Sequence, residues 1–293
     1  MIANKLILGT VQIGLPYGIN NTIGQIPVDR SLLLLKNAFE AGISYLDTAE
    51  AYGNAHEIIG NYHLEYPNKK FEILTKLPHE FSGGVKEKFL KYVNELHVNS
   101  ILGFSFHSFD TYQKAFAGVS EELELLKKLG HIQKIGVSVY TNEEALIVLQ
   151  NPAIDIIQLP FNLLDNINLR YNILQEAKSK GVEIHVRSCF LQGLFFMDPN
   201  GSHAVAKRLH VELSKIHEIA KKYTVSVNDL ALNYVYQNPL IDKILIGVDS
   251  SEQLVENLKS LDSDIPVEAF HEVNKITVEH IDLINPTLWK NFG

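Results

Sequence analysis

An α/β fold built from eight strand–helix units is what this sequence predicts, and three observations carry the reading. First, short apolar runs recur at residues 5–8, 43–46, 71–75, 101–106, 132–139, 154–159, 182–186 and 242–248. They are rich in Ile, Leu and Val and edged by Gly, Pro or Asn, as suits strands buried on both faces of a parallel sheet. Second, the segments between them space apolar residues by three and four, the period of a helix with one buried face. Third, Gly42, Gly130 and Gly181 each close such a segment just before the next run, where a helix ends on a C-terminal glycine and feeds a strand. Repeated units of this kind form a parallel sheet covered by helices. Eight of them suit a closed (β/α)8 TIM barrel of roughly 250 residues. A doubly wound open sheet is the competing arrangement.

Taken in order, the run at 5–8 leads to a long loop, 12–27, and then to a helix at 30–41 with Leu33, Leu34, Ala38 and Ala41 on one face. Helices are predicted again at 119–129 and 169–180, each before its glycine. The stretch between the seventh and eighth runs is longer than one helix needs and holds two helical patterns, at 204–222 and 227–237. Residues 265–293 read as a short helix and an irregular end. No linker or low-complexity segment interrupts the chain, so residues 1–293 are expected to form one domain.

The composition narrows the function. Hydrophobic residues make up 46% and charged residues 20%, the balance of a globular protein with a sizeable core. A formal net charge of −8, with no Lys/Arg-rich run, argues against nucleic acid or an anionic membrane as partner. No apolar stretch approaches the roughly 20 residues of a membrane helix. The first ten residues lack a signal-peptide cleavage site. The single cysteine, Cys189, permits no intrachain disulfide, so a cytoplasmic setting is expected.

In a (β/α)8 barrel, chemistry sits where the strands end. Asp47 and Tyr52 follow the second run, Lys76 the third and His107 the fourth. Ser138 ends the fifth, Gln158 lies in the sixth, Arg187 and Ser188 follow the seventh, and Gly247 closes the eighth. Taken singly, each has an ordinary structural reading: Asp as a cap, Tyr as packing, Lys or His as solvated. Together the first four make a carbonyl-reducing set. A phenol is a poor acid at neutral pH, and a nearby ammonium, here Lys76 held by Asp47, favours its ionisation. His107 can hold a carbonyl oxygen near Tyr52, and Tyr52 can protonate the alkoxide that forms when hydride arrives. No side chain supplies hydride, so a nicotinamide cofactor is expected. No His/carboxylate cluster suggests a metal, and Cys189 is read as an inert buried thiol.

The segment Leu46-Asp47-Thr48-Ala49-Glu50-Ala51-Tyr52-Gly53, continuing to Glu57 and Gly60, resembles the signature of the aldo-keto reductases. Nearly the whole chain shares the likeness. Leu8-Gly9-Thr10, Leu74-Thr75-Lys76, Phe106-His107, the run from Lys134 to Ser138, Ile157-Gln158-Leu159 and the segment Gln253 to Leu258 are similar to successive family motifs. The resemblance implies a barrel and an NADPH- or NADH-dependent reductase acting on a small-molecule carbonyl. It implies Tyr52 as acid/base, Lys76 and Asp47 as its modulators and His107 as carbonyl orienter. Ser138 and Gln158 would hold the nicotinamide carboxamide, with Thr10 and Asp47 beside the cofactor. Ser188, Leu191 and Gly193 would wrap the pyrophosphate, and Gly247, Gln253 and Asn257 would serve the adenosine end.

Four departures from the family pattern matter. The chain runs almost directly into its first strand, so the hairpin that usually closes the barrel bottom is expected to be missing. Val139 stands where an Asn commonly meets the carboxamide. Arg187 stands where an aromatic ring usually stacks on the nicotinamide; a guanidinium can stack there or pair with a carboxylate or phosphate of the substrate, a nucleotide-linked sugar among them. Gly247 and Gln253 replace the Lys and Arg that many relatives direct at the 2′-phosphate of NADPH, and Asp249 nearby repels that phosphate. The Asp249-Ser250-Ser251 segment can cap the last barrel helix and offer its N–H groups to a phosphate. Substrate loops are expected at 12–27, 108–117 and 195–203, with Tyr17, Phe109, Phe195, Phe196 and Trp289 as an apolar wall. Two other classes remain: a cofactor-sensing regulatory barrel with little turnover, and a phosphate-binding isomerase or lyase, which leaves the segment from Asp47 to Tyr52 without a use.

Overall fold

In the computed structural model, which describes residues 2–80, 84–201 and 203–292, the eight runs become eight parallel strands. They are β1 (Leu6–Gly9), β2 (Tyr45–Asp47), β3 (Glu72–Leu77), β4 (Ile101–Phe106), β5 (Ile132–Ser138), β6 (Ile156–Pro160), β7 (Glu183–Arg187) and β8 (Lys243–Ile246). Each pairs with the next, and β8 returns to β1 with Leu6 opposite Ile244 and Leu8 opposite Ile246. That pairing removes both sheet edges and decides for the barrel over the open sheet. The helices follow as α1 (Val11–Gly14), α2 (Val28–Glu40), α3 (Ala55–Glu65), α4 (Val85–Leu96), α5 (Phe109–Lys128), α6 (Asn142–Val148), α7 (Ile167–Ser179), α8 (Ala204–Arg208), α9 (His210–Lys222), α10 (Val227–Tyr236), α11 (Ser251–Ser260) and α12 (Val267–Val273). Gly42, Gly130 and Gly181 all take positive φ just after α2, α5 and α7, as the sequence pattern demands.

The strands are apolar on both faces because they meet two cores. Ile7, Leu74, Ile156 and Leu245 form a separate buried cluster, packed by Tyr45 and Leu102. The much larger cluster lies between the sheet and its helices. Near the N-terminal strand ends the side chains turn polar. Lys134 pairs with Glu183, His185 Nε2 lies 3.3 Å from the same carboxylate, and the Lys243 ammonium sits 3.7 Å from the centre of the Tyr45 ring. Among the described residues only a 3₁₀ turn, Ile2–Lys5, precedes β1, and no hairpin does. Lys5 Nζ donates to the carbonyls of Tyr236 and Asn238 at 2.6 and 2.8 Å, tying that turn to the end of α10.

Two expectations change. The segment 108–117 is not a loop: Ser108 caps α5, which runs unbroken from Phe109 to Lys128. Tyr112 and Phe116 pack on each other and on Phe106 at ring distances of 5.2 to 6.0 Å, and this tertiary packing overrides the weak helix preference of a stretch holding Thr, three aromatic rings and Gly118. The tail beyond α12 forms two 3₁₀ turns, Ile281–Ile284 and Pro286–Asn291. Ser202, within the expected 195–203 loop, and Met1 and Gly293 at the ends lie outside the described residues.

The helix that follows the tyrosine loop is fixed by a close approach. A Cβ on Gly60 of α3 would stand 2.0 Å from the carbonyl oxygen of Glu95 in α4 and 3.0 Å from the His97 ring. Gly60→Ala is therefore expected to destabilise the protein by about 1–3 kcal/mol, as overpacking does, although alanine favours a free helix by about 1 kcal/mol. A urea melt reads the balance; a raised midpoint would mean that α3 and α4 separate freely.

Candidate active site

The tyrosine loop is built backbone on backbone. Tyr52 N–H donates to Ala49 O and Tyr52 O accepts from Ala55 N–H, both at 3.0 Å. Gly53 turns the chain at φ +55°, and a Cβ on Gly14 of α1 would fall 1.7 Å from Tyr52 O. This seat lifts Tyr52 above β2, while Asp47 ends β2, Lys76 lies one residue from the end of β3 and His107 follows β4. Four side chains distant in sequence thus converge on one rim. Thr10, just past β1, donates from both N–H and Oγ1 to Asp47 O at 3.0 Å and locks the neighbouring strand end.

Asp47 and Lys76 are each 2% exposed. Lys76 Nζ donates to Asp47 Oδ1 and, at 3.1 Å, to Thr48 O. Gln158 Nε2 donates to Asp47 Oδ2 at 2.9 Å, and Ser138 Oγ reaches Gln158 Oε1 at 3.5 Å. Both carboxylate oxygens are thereby satisfied, which a buried charge requires. The Lys76 ammonium lies 5.3 Å from the centre of the Tyr52 ring. The expected lowering of the Tyr52 pKa is reversed here. Burial raises it, Asp47 adds to the rise and Arg187 opposes it. Lys76's charge is matched at contact by Asp47, so Tyr52 keeps its proton, the state a general acid needs.

The His107 ring meets Tyr52 edge to face at 5.6 Å and stacks on His79 at 4.5 Å. Its Nδ1 is buried and has no protein partner. Burial, reinforced by Lys76, His79 and Arg187, pushes its pKa down to about 2. A neutral imidazole keeps one N–H to donate. His79 was invisible as a site residue in the sequence, although its place two residues past β3 is a strand-end position like the others.

These groups open on a cleft of about 500 Å³. Thr10, Asp47, Tyr52, Gln158, Arg187, Ser188, Gly193, Gly247, Gln253 and Asn257 line it. Lys76, His107 and Ser138 do not; Lys76 sits behind Asp47, His107 beside Tyr52 and Ser138 behind Gln158. Leu191 packs its side chain into the core rather than lining the cleft. The wall is also corrected. Tyr17 and Phe196 line the cleft, joined by Phe190, whereas Phe195 is wholly buried, Phe109 packs against the core and Trp289 is buried, donating to Leu283 O at 2.8 Å. A period-based reading of loops has no means of choosing which of two adjacent aromatics faces in. Gln12, Asn20 and Gln192 line it from loops that were expected there, whereas Glu256 was missed as a lining residue. Glu256 was legible: it stands three residues from Gln253 on α11, on the same helix face. Burial pushes the Cys189 thiol up to about 12, which leaves it un-ionised.

The far end of the cleft fits a dinucleotide. Gly247 keeps the floor open, since a Cβ there would lie 2.6 Å from the Gln12 side chain. Gln12 Oε1 and Asp249 Oδ1 are buried, line the cleft and have no protein partner. Ser250 caps α11, accepting from Gln253 N–H at 3.3 Å. Ser188, Leu191, Gln192 and Gly193 all take positive φ, so the 188–194 loop turns sharply over the cleft. Among the described residues, no group of three His, Cys, Asp or Glu could hold a metal, and no helix is long and apolar enough to cross a membrane.

Known proteins carry the same plan. The L-galactose dehydrogenase of Arabidopsis thaliana is 24% identical over 270 residues, covering 83% of this chain and 81% of that one. The NADH-specific methylglyoxal reductase of Escherichia coli (strain K12) is 23% identical over 302 aligned positions, covering 89% and 91%. The solved structure of aldo-keto reductase AKR11C1 from Bacillus halodurans (holo form) superimposes with a TM-score of 0.77 at 20% identity, over 94% of each chain, a likeness of fold. The family model described as aldo/keto reductase matches residues 5–278. With the barrel closed and that match spanning all eight strands, the chain belongs to the aldo/keto reductase family of NAD(P)H-dependent oxidoreductases.

Proposed function

We propose that this protein reduces the carbonyl of a small aldehyde, ketone or sugar, with Tyr52 as the general acid and NADH as the preferred cofactor. The observation that carries the reading is Tyr52 set beside the Lys76 ammonium at 5.3 Å and the His107 ring at 5.6 Å, lining a cleft of about 500 Å³. The bound nicotinamide supplies hydride. Neutral His107 donates its N–H to the carbonyl oxygen and holds it beside the Tyr52 hydroxyl. As negative charge gathers on that oxygen, Tyr52 gives up its proton, and Lys76 stabilises the phenolate left behind. Asp47 keeps Lys76 protonated despite burial, which pulls the ammonium pKa down. Gln158 offers its amide for the carboxamide, steadied from behind by Ser138.

The cofactor preference rests on charge. Arg187 is the only Lys or Arg among the described lining residues, and it belongs to the Tyr52 end. Asp249 and Glu256 line the other end, and one Asp249 oxygen is buried without a partner. A carboxylate there can accept hydrogen bonds from a ribose diol and repels a 2′-phosphate. The NADH-specific relative supports the same choice. NADH is expected to bind at least about tenfold more tightly than NADPH, a difference of ~1.4 kcal/mol, measured by calorimetric titration. The double variant Asp249→Ser/Glu256→Lys is expected to narrow or invert the ratio. Tighter NADPH binding by the wild type contradicts the cofactor reading. Turnover with a panel of small aldehydes and sugars tests the reduction itself. Tight cofactor binding with no turnover would favour a sensing role.

A further inference from the structure

Arg187, half-buried at the end of β7, is left with few partners among the described residues. Its neighbour Arg170 has four of its five N–H donors engaged: Nε and Nη2 pair with the two oxygens of Asp165 at 2.6 and 2.7 Å, Nη1 donates to Asn142 Oδ1 at 2.8 Å, and Nη2 also donates to Tyr140 O at 2.7 Å. Arg187 makes one hydrogen bond, from Nη2 to Val139 O at 3.3 Å, and stacks on the Tyr140 ring at 4.0 Å. No carboxylate pairs with it among the described residues. A guanidinium carries five N–H donors in a planar fork, so most of its donors are left for the cleft it lines. The Tyr140 backbone beneath it is tied on both groups: its carbonyl accepts from Arg170 at 2.7 Å and its N–H donates to Glu144 Oε2 at 2.6 Å.

The position fixes what such a cation meets. Arg187 ends β7 and lines the same cleft as Tyr52, Tyr17, Phe190 and Phe196. Its charge is felt at Tyr52, where it opposes the rise in pKa, and at His107, where it adds to the fall. Of the phosphate-binding features, the α11 N-terminus lies on another element, while the 188–194 loop begins at the residue after Arg187. We infer that Arg187 anchors an anionic group, carboxylate or phosphate, of the carbonyl substrate, so that the reductase prefers small aldehydes or ketones bearing such a group close to the carbonyl. This deepens the proposed reduction and rests on it. A guanidinium fork can offer two parallel N–H donors to a carboxylate or phosphate, the geometry that makes such pairs strong.

The test uses matched pairs: 4-oxobutanoate with its methyl ester, and D-glyceraldehyde 3-phosphate with D-glyceraldehyde. Each is assayed with wild type, Arg187→Met and Arg187→Lys, alongside calorimetric affinity for NADH and NADPH. Wild type is expected to favour the charged member of at least one pair in kcat/KM by about 10- to 100-fold, the range of a hydrogen bond to a charged group. Which pair responds tells carboxylate from phosphate. In Arg187→Met the ratio is expected to collapse towards one, mostly through KM, and Arg187→Lys is expected to recover part of it. The neutral members report whether each variant is folded. Equal kcat/KM for charged and neutral members in wild type, or a ratio unchanged in Arg187→Met, overturns the anchor while leaving carbonyl reduction standing. An equal fall for both members with a loss of nucleotide affinity also overturns it, since Arg187 then serves the cofactor. Absence of turnover with all four compounds, in wild type that binds the nucleotide, overturns the reductase proposal and the anchor with it.

Discussion

Tyr52→Phe is expected to lower kcat/KM for carbonyl reduction by about 10²–10⁴-fold while leaving NADH affinity within about twofold of wild type, because general acid catalysis contributes on that scale. The substitution removes one hydroxyl and keeps the ring. The edge-to-face contact with His107 and the ammonium beside the ring remain possible, and the backbone seat formed with Gly14 and Gly53 is untouched. The missing atom is the one proton the rim can give at the carbonyl. His107 is neutral and already used in holding the oxygen, and Lys76 is engaged by Asp47 and Thr48. Steady-state oxidation of NADH with the best aldehyde substrate, together with a binding titration, measures both halves. Wild-type turnover in Tyr52→Phe would remove Tyr52 from the mechanism.

The second large effect falls on the buried ion pair. Lys76→Met is expected to destabilise the protein by about 3–5 kcal/mol, the cost of leaving a buried charge without its partner. For a chain of this length that lowers Tm on the order of 5–15 °C. Asp47 would retain only Gln158 as a side-chain donor. The double variant Lys76→Met/Asp47→Leu is expected to be more stable than Lys76→Met alone, since no charge is then stranded, yet equally inactive. Thermal melts of the three proteins with parallel turnover assays make the comparison. A double variant less stable than Lys76→Met would mean that Asp47 is held by something other than Lys76.

Much of this molecule was legible because its strands are apolar on both faces. Runs such as 101–106 and 132–139 stand out whichever face is counted, and the glycines after α2, α5 and α7 mark where helices turn into strands. The four rim residues followed from strand order alone, since a barrel brings every strand end to one circle. What stayed hidden depends on side-chain direction and on long-range packing. Helix α5 begins about ten residues earlier than its own pattern announces, because Tyr112 and Phe116 pack on Phe106 of β4 as well as on each other, a long-range contact that the period alone does not show. Phe196 faces the cleft and Phe195 the core, a difference set by the turn from Ser188 to Gly193 and not by composition. The sign of the Tyr52 shift was equally unreadable: it turns on burial and on Lys76 being matched by Asp47 at contact, which only the folded arrangement reveals.

The central claim, hydride delivered to a carbonyl beside Tyr52, is tested most directly by following the hydride itself. NADH carrying deuterium at C4 of the nicotinamide is incubated with the protein and D-glyceraldehyde or 4-oxobutanoate, and the alcohol product is analysed by mass spectrometry. One deuterium on the new carbinol carbon in wild type, and almost none with Tyr52→Phe, is the expected result. Nucleotide bound without deuterium reaching any alcohol, or equal transfer by the two proteins, would contradict it.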